Sequence, residues 1–401
     1  MTANRALRIA CVTETYPPEV NGVAVTMARV VEGLVSRGHV VDLLRPRQAG
    51  ERGTGDRPVS VDGLLLHRLP GLPIPRYSDL RMGLPAAGRL KRLWQVERPD
   101  IVHIATEGPL GESALRAARS LDLPVSSDFR TNFDAYADHY GLGILRRPIS
   151  AWLRHFHNRC DVTMTPTEAL RAELAQQGYR RLQVLTRGVD TQRFQPGHRS
   201  EALRAAWGVG PDDPVVLHVG RVAAEKNLAV LGDAFDALMR ELPRARLVVV
   251  GDGPQRAELQ ARHPHAVFTG QQRGEALARH YASADLFVFP SLTETFGNVT
   301  TEAMASGLAV CAFDHAAAGE LVRPGVHGLL AAPDDAPAFV AHALSLARDL
   351  PRCRAMGLAA RQRAEGLGWD AIVARFEAIL RAAVADRHAA RKSQPARSVV
   401  A

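Results

Sequence analysis

The chain has 401 residues, too many for one ordinary core, and reads as two domains of roughly 200 residues each. Its composition, 46% hydrophobic and 23% charged, excludes wholesale disorder, and no apolar run reaches the ~18–20 residues that span a bilayer. The formal net charge of +8 is almost all arginine and falls mainly before residue 190, where 26 Lys/Arg stand against 20 Asp/Glu; that suits an anionic surface or an arginine-rich proteome equally.

The first strand is Arg8–Thr13, with no signal-like apolar segment before it, so a cytoplasmic place is expected. A polar loop, Glu14–Asn21, leads to Gly22, which opens a helix with apolar residues at helical spacing through Leu34. Gly38 ends it, and His39–Leu44 is the next strand. Such a βαβ opening implies a parallel sheet covered by helices. The scheme continues with strand Asp100–Ile104, helix Pro109–Leu121, strands Pro124–Ser127 and Asp161–Thr165, a helix from Pro166 and a short strand Gln183–Leu185. Ala49–Arg57 reads as a loop. After the polar stretch Gln192–Ser200, strands Val215–Val219, Leu247–Val250, Val267–Thr269, Leu286–Pro290 and Leu308–Ala312 repeat the scheme, each followed by a helical pattern. His388–Ala401 is polar and basic and reads as a fraying tail. Cys11, Cys160, Cys311 and Cys353 form no CxxC pair and read as buried thiols of a reducing compartment.

In open parallel sheets, ligands bind beyond the carboxyl ends of strands. The strongest motif there is Glu294-Thr-Phe-Gly-Asn-Val-Thr-Thr-Glu302, followed by Ala303-Met-Ala-Ser-Gly307. With a helix starting near Asn298, the amides of Gly297, Asn298 and Val299 are free to meet phosphate. Glu294, before the helix, and Glu302, on its second turn, suit hydroxyl pairs, because a carboxylate offers only acceptors. A second motif is Gly220-Arg-Val-Ala-Ala-Glu-Lys226-Asn227, whose Arg221 and Lys226 can hold a diphosphate as negative charge grows on it. In Gly251-Asp-Gly-Pro254, Gly251 and Gly253 allow a tight turn and a close backbone approach by a nucleotide. It lacks the context of a dinucleotide fingerprint.

Before residue 190, Gly22 is read either as a close-approach glycine for phosphate or sugar or as a structural turn. His103-Ile-Ala-Thr-Glu107 and Ser126-Ser-Asp128-Phe129-Arg130-Thr131-Asn132-Phe133, continuing to Tyr136, put dense polar and aromatic groups at strand ends, as an acceptor pocket requires. No His spacing supports a metal site. Arg76–Arg98 carries Arg81, Arg89, Lys91, Arg92 and Arg98 among Leu80, Leu84, Leu90, Leu93 and Trp94. It is either a basic amphipathic helix for anionic lipid or an ordinary solvated helix.

Together, Gly22, Gly220-Arg221…Lys226, Gly251-Asp-Gly-Pro254, Pro290-Ser291 and Glu294…Glu302 with Phe296-Gly297 resemble the retaining GT-B glycosyltransferases of family four, over nearly the whole chain. The stretches Thr15-Tyr-Pro-Pro-Glu-Val-Asn-Gly22 and Asp128–Phe133 most resemble a branch with GDP-mannose-dependent lipid mannosyltransferases and diacylglycerol glycosyltransferases. The resemblance implies an α/β protein of two Rossmann-like domains facing across a cleft. Residues 1–190 would bind acceptor, 191–369 the nucleotide sugar, 370–387 would form a helix crossing back, and 388–401 a basic tail. It implies a hexosyltransferase that retains configuration by front-face attack, with neither metal nor cofactor. Its partners would be a nucleotide sugar and a lipid or glycan acceptor, with an anionic inner membrane face as a peripheral surface and no nucleic acid.

By motif, Arg221 and Lys226 hold the diphosphate, Glu294 the transferred sugar, Glu302 the ribose, and Gly22 the phosphate side from the first domain. Gly220, Gly251, Gly253, Phe296, Gly297, Asn298 and Val299 complete the donor site, and His103, Glu107, Asn132 and Tyr136 lie on the acceptor side. Arg130 stands where many relatives have histidine. It stays protonated and would pair with an anionic group on donor or acceptor. A nucleotide-sugar epimerase and a non-catalytic nucleotide-sugar-binding protein of this architecture are the alternatives.

Overall fold

The computed structural model of the chain describes residues 5–19, 21–48, 51, 59–74, 77–130 and 143–393. The chain divides into two compact units, Met1–Thr186 with Trp369–Ala401, and Arg187–Gly368.

Unit 1 holds β1 Arg8–Val12, β2 Val40–Pro46, β3 Val59–Val61, β4 Leu64–Leu69, β5 Gly71–Ile74, β6 Tyr77–Gly83, β7 Ile101–Ile104, β8 Val125–Asp128, β9 Val162–Thr165 and β10 Leu182–Val184. Eight form one sheet in the order β10-β9-β8-β7-β1-β2-β4-β3, and β5 and β6 form a separate hairpin. All pairings in the large sheet are parallel except that of β3 with β4. The central strand is apolar on both faces. Ile9 and Cys11 enter one core cluster, Ala10 and Val12 the other, so helices must cover both sides.

On the first side lies the helix Gly22–Ser36, which buries Met27, Val30, Val31 and Leu34 at i, i+3, i+4, i+7. Beside it lies the helix Trp369–Ser393, which buries Val373, Phe376, Leu380 and Val384 in the same cluster. The two helices touch at Gly33, where a Cβ would stand 2.6 Å from Val373 Cγ2. Glu377 adds a charged clasp, taking Arg37 Nε at 2.6 Å and Arg381 Nε at 2.7 Å, with His39 Nε2 at 3.2 Å. These cations, chiefly the bonded arginines, outweigh burial and hold the Glu377 carboxyl down at about 2. The helix runs on to Ser393, so residues 388–393 are helical rather than tail, and 394–401 lie outside the described residues.

Unit 2 holds β11 Val215–Val219, β12 Arg246–Val250, β13 Val267–Gly270, β14 Leu286–Phe289, β15 Ala309–Phe313 and β16 Gly328–Ala331. They form one sheet, parallel throughout, in the order β13-β12-β11-β14-β15-β16. Val215, Leu217 and Val219 face one core and Val216 the other. Strand order reverses between β11 and β14 in this unit and between β1 and β7 in unit 1. At such a reversal the connections leave in opposite directions and open a crevice beyond the strand ends.

Strands β3 to β6 and β16 are absent from the sequence reading. Val59–Val61 is wholly exposed and Leu64–Leu69 is half-buried, so neither carries a clean alternation. The helix expected from Pro166 starts at Glu168, because the Thr167 hydroxyl caps it by accepting from Leu170 N–H at 3.2 Å.

Candidate active site

In unit 2 the loops after β11 and β14 meet at the reversal. The chain leaves β11 at Gly220, whose N–H donates to Val250 O (3.0 Å), and makes one 3-10 turn, Ala224–Lys226. Asn227, left-handed at φ 54°, then turns it into the helix Leu228–Glu241. Thr293 Oγ1 donates to Glu225 O at 3.0 Å and ties this turn to the second loop. Lys226 Nζ is ion-paired with Glu294 Oε1, which also accepts from Ser291 Oγ at 3.1 Å. Arg221 lies more open, 3.2 Å from Glu225.

Beneath the lysine lies an aromatic floor. Its Nζ sits 6.0 Å from the centre of the Phe289 ring, which stacks on Phe287 (5.6 Å) and His218 (5.9 Å). His218 is fully buried, and burial, aided by Lys226, lowers its pKa to about 4, so it is neutral and donates its Nδ1 proton to Val288 O (3.2 Å).

The helix Asn298–Ala305 starts where the sequence places it. Gly297 enters at φ 91°, a left-handed conformation that favours glycine, and the first amides, at Asn298 and Val299, have no acceptor within the helix. Phe296 differs from expectation: it is buried in the core of unit 2 and anchors the loop from below. Glu302 Oε2 accepts from Tyr281 O–H at 3.0 Å. Burial raises the Glu302 pKa to about 7, against the opposing pull of Tyr281 and Arg193.

The glycines of Gly251-Asp-Gly-Pro254 have another cause than the one expected. A Cβ on Gly251, at φ 141°, would stand 1.8 Å from Gly220 O, and one on Gly253 would stand 2.3 Å from Val222 O. The chain itself makes the close approach: Val222 N–H donates to Asp252 O and Gln255 N–H to Val222 O, both at 3.0 Å.

In unit 1, Gly22 is exposed at a helix start capped by Asn21, whose side chain accepts from Ala24 N–H at 2.8 Å. The preceding loop is braced. Glu19 takes the Thr15 hydroxyl and Gln48 Nε2 (2.5 Å), and Asn21 Nδ2 donates to Thr15 (2.7 Å). Glu14 accepts from the amides of Gly83 and Leu110 (2.9 Å), so the start of the helix Pro109–Ser120 already holds an anion. Burial raises its pKa, opposed by those amides.

The acceptor-side residues are enclosed. His103 is fully buried, with Nδ1 3.1 Å from Ser126 Oγ and its ring edge-on to Phe376 at 4.8 Å. Glu107 is buried against His157 (3.2 Å), which meets Ser127 Oγ at 3.0 Å. His103 Nε2 has no hydrogen-bond partner among the described residues. Arg130 is buried and ion-paired with Asp128, with Nη2 3.3 Å from Met27 Sδ; its Nε and Nη1 have no hydrogen-bond partner among the described residues. Asn132 and Tyr136 lie outside the described residues. The dense polar character of these strand ends therefore belongs largely to internal pairing.

The lipid reading of Arg76–Arg98 also changes. The helix is Ala87–Val96, and its Leu90 and Trp94 are spent in the core of unit 1. Lys91, Arg92 and Arg98 stay outside, with Leu72, Met82 and Leu84 on and beside the β5–β6 hairpin. Among the described residues no helix is long and apolar enough to cross a membrane.

Sequence reasoning picked out Pro290-Ser291 without giving Ser291 a role, and it missed Phe289, His218 and Tyr281 as parts of this site. Tyr281 falls at a core spacing of the helix Gly274–Ser283 and carries no signal of its own.

Residues 20–193 match the family described as Glycosyltransferase Family 4, and residues 213–349 that described as Glycosyl transferases group 1. The chain is 37% identical to a GDP-mannose-dependent alpha-mannosyltransferase of Mycolicibacterium smegmatis, over 93% of this chain and 98% of that one. It is 27% identical to the alpha-monoglucosyldiacylglycerol synthase of Streptococcus pneumoniae, over 81% and 75%. A sucrose-phosphate synthase from Thermosynechococcus elongatus shares the fold, with a TM-score of 0.75 at 20% identity over 95% of this chain and 100% of that one.

Proposed function

The chain belongs to glycosyltransferase family 4, with the two α/β domains of the GT-B fold, and on that footing we propose that it moves mannose from GDP-mannose to a lipid or glycan hydroxyl. The observation that carries this reading is the pairing of Lys226 with Glu294 at the strand-order reversal of unit 2, on the two loops that also carry Arg221 and the free amides of Asn298 and Val299. Arg221, Lys226 and the helix start take the diphosphate, Glu294 the sugar, and Glu302 the ribose. The unpartnered nitrogens of Arg130 are the groups that would meet an anionic substituent.

In the reaction, the bond from the sugar C1 to the β-phosphate oxygen breaks and the acceptor oxygen bonds C1 from the same face, so configuration is retained. The acceptor proton passes to the departing phosphate oxygen. Two fixed cations stabilise the charge growing there and do the work a metal ion would otherwise do. Turnover that persists in excess EDTA, with an α-linked product by NMR, is the expected result.

The glucosyl-lipid relative supports a second transferred sugar, glucose, for which a UDP-hexose is the donor to test. Thermal shift against GDP-mannose, UDP-glucose and their nucleoside diphosphates tests the donor directly, because a ligand that binds only the folded chain raises its melting point. No shift with any of them overturns the donor-site reading.

A further inference from the structure

Each glutamate of the donor site is held by one oxygen only. Glu294 receives both of its bonds at Oε1, from Lys226 Nζ and Ser291 Oγ, and Oε2 has no hydrogen-bond partner among the described residues. Glu302 receives Tyr281 O–H at Oε2, and Oε1 has no hydrogen-bond partner among the described residues. The two anchoring hydroxyls come from outside the helix that carries Glu302 and are themselves fixed. Ser291 is buried directly beyond the end of β14. Tyr281 is fully buried in the helix Gly274–Ser283, edge-on to Phe194 at 5.6 Å and 6.0 Å from Phe287.

A free glutamate side chain turns about three bonds, and ordering it on binding costs entropy. A hydroxyl that bonds one carboxylate oxygen removes that freedom in advance and leaves the other oxygen at a set place. An O–H donor suits this task, because it binds the carboxylate without neutralising its charge.

We propose that Ser291 and Tyr281 are positioning residues of the donor site, Ser291 aiming the open oxygen of Glu294 at the transferred sugar and Tyr281 aiming that of Glu302 at the ribose. This rests on the donor-site reading above. The two residues therefore act on different parts of one ligand. Ser291 governs affinity for the sugar and is silent toward a nucleoside diphosphate. Tyr281 governs affinity for the ribose and acts alike on nucleotide and nucleotide sugar.

Calorimetric titration of the full chain with GDP-mannose, GDP and 2′,3′-dideoxy-GDP separates these effects, or the uridine series if the wild type binds that instead. Ser291→Ala should weaken the nucleotide sugar about tenfold, the scale of one hydrogen bond to a charged group, and leave the nucleoside diphosphate unchanged. Ser291→Thr should restore it. Tyr281→Phe should weaken nucleotide and nucleotide sugar by the same factor and shrink the wild-type preference for ribose over dideoxyribose. Ratios between ligands do not depend on the folded fraction of a variant, so partial misfolding cannot imitate the pattern. Loss of all three ligands in equal proportion, or no change, overturns the proposal and leaves the donor site standing. A wild type that binds none of them overturns the donor site and the proposal with it.

Discussion

Lys226 meets a leaving diphosphate from a position that is already paired and supported. Glu294 holds it from one side and the Phe289 ring lies beneath it, so little reorganisation remains when charge develops. Lys226→Ala should lower kcat by about 10²–10³-fold, the cost of removing one fixed transition-state partner; single-turnover rates within threefold of wild type would remove Lys226 from the mechanism. Glu302 adds a pH dependence. Its pKa is raised from 4.5 to about 7 by burial, so the folded chain holds a proton there that the unfolded chain has released. That favours folding fully below about 4.5, and the advantage is lost as pH climbs through about 7. In the ligand-free chain, Glu302→Gln should therefore raise the melting point relative to wild type more at pH 8 than at pH 5, with parallel melting curves counting against it. At this scale the glutamates and cations were legible, because their spacing and chemistry are local to one loop each. Ser291 was visible as a residue of the same loop but not its bond to Glu294, and Tyr281 was not visible at all, since a hydrogen bond across 21 residues from Tyr281 to Glu302 leaves no local pattern.

Strand ends, rather than whole elements, carry the site, and their loops are locked to one another. Gly251 shows how tightly. Gly251→Ala combines a positive φ with a carbonyl 1.8 Å from the new methyl and should cost about 3 kcal/mol or more. Gly274→Ala, also at positive φ (55°) but with nothing within 4 Å, should cost only about 1 kcal/mol. Urea midpoints of the two variants test this; equal losses would mean that the backbone at Gly220 gives way freely. The sequence showed the glycines but not the neighbour that demands them, because that neighbour is the chain 31 residues earlier, Gly220 for Gly251 and Val222 for Gly253. The same blindness affected His103 and Glu107. A buried polar pair and a polar pocket draw on the same residue types, and only three-dimensional partners such as Ser126 and His157 tell them apart. The apolar parallel strands of both sheets were legible from their continuous hydrophobic runs. The exposed strand Val59–Val61 was not, and neither was the β5–β6 hairpin, whose Leu72 and Met82 are exposed.

Across the whole molecule, the formal charge of +8 gives the chain a general attraction to anionic surfaces. If unit 1 meets anionic lipid, as the sequence reading proposes, exposed Lys91, Arg92 and Arg98 are the cations and exposed Leu72, Met82 and Leu84 the apolar side chains available to it. Flotation with vesicles should show binding that rises with the fraction of anionic lipid, falls with salt, and weakens in Lys91→Glu/Arg92→Glu; binding indifferent to lipid charge would end this reading. The clasp of Glu377 and the contact of Gly33 with Val373 have a consequence in time. Unit 2 is one uninterrupted stretch, Arg187–Gly368, and has its whole core once residue 368 has left the ribosome. Unit 1 was begun first but must wait for Trp369–Ser393 before Ile9, Val30 and Leu34 gain the apolar cover that Val373, Phe376 and Leu380 provide. The segment made first is thus finished last, and a nascent chain halted anywhere before the final helix carries one sealed domain and one with an open flank, the surface on which a chaperone would act.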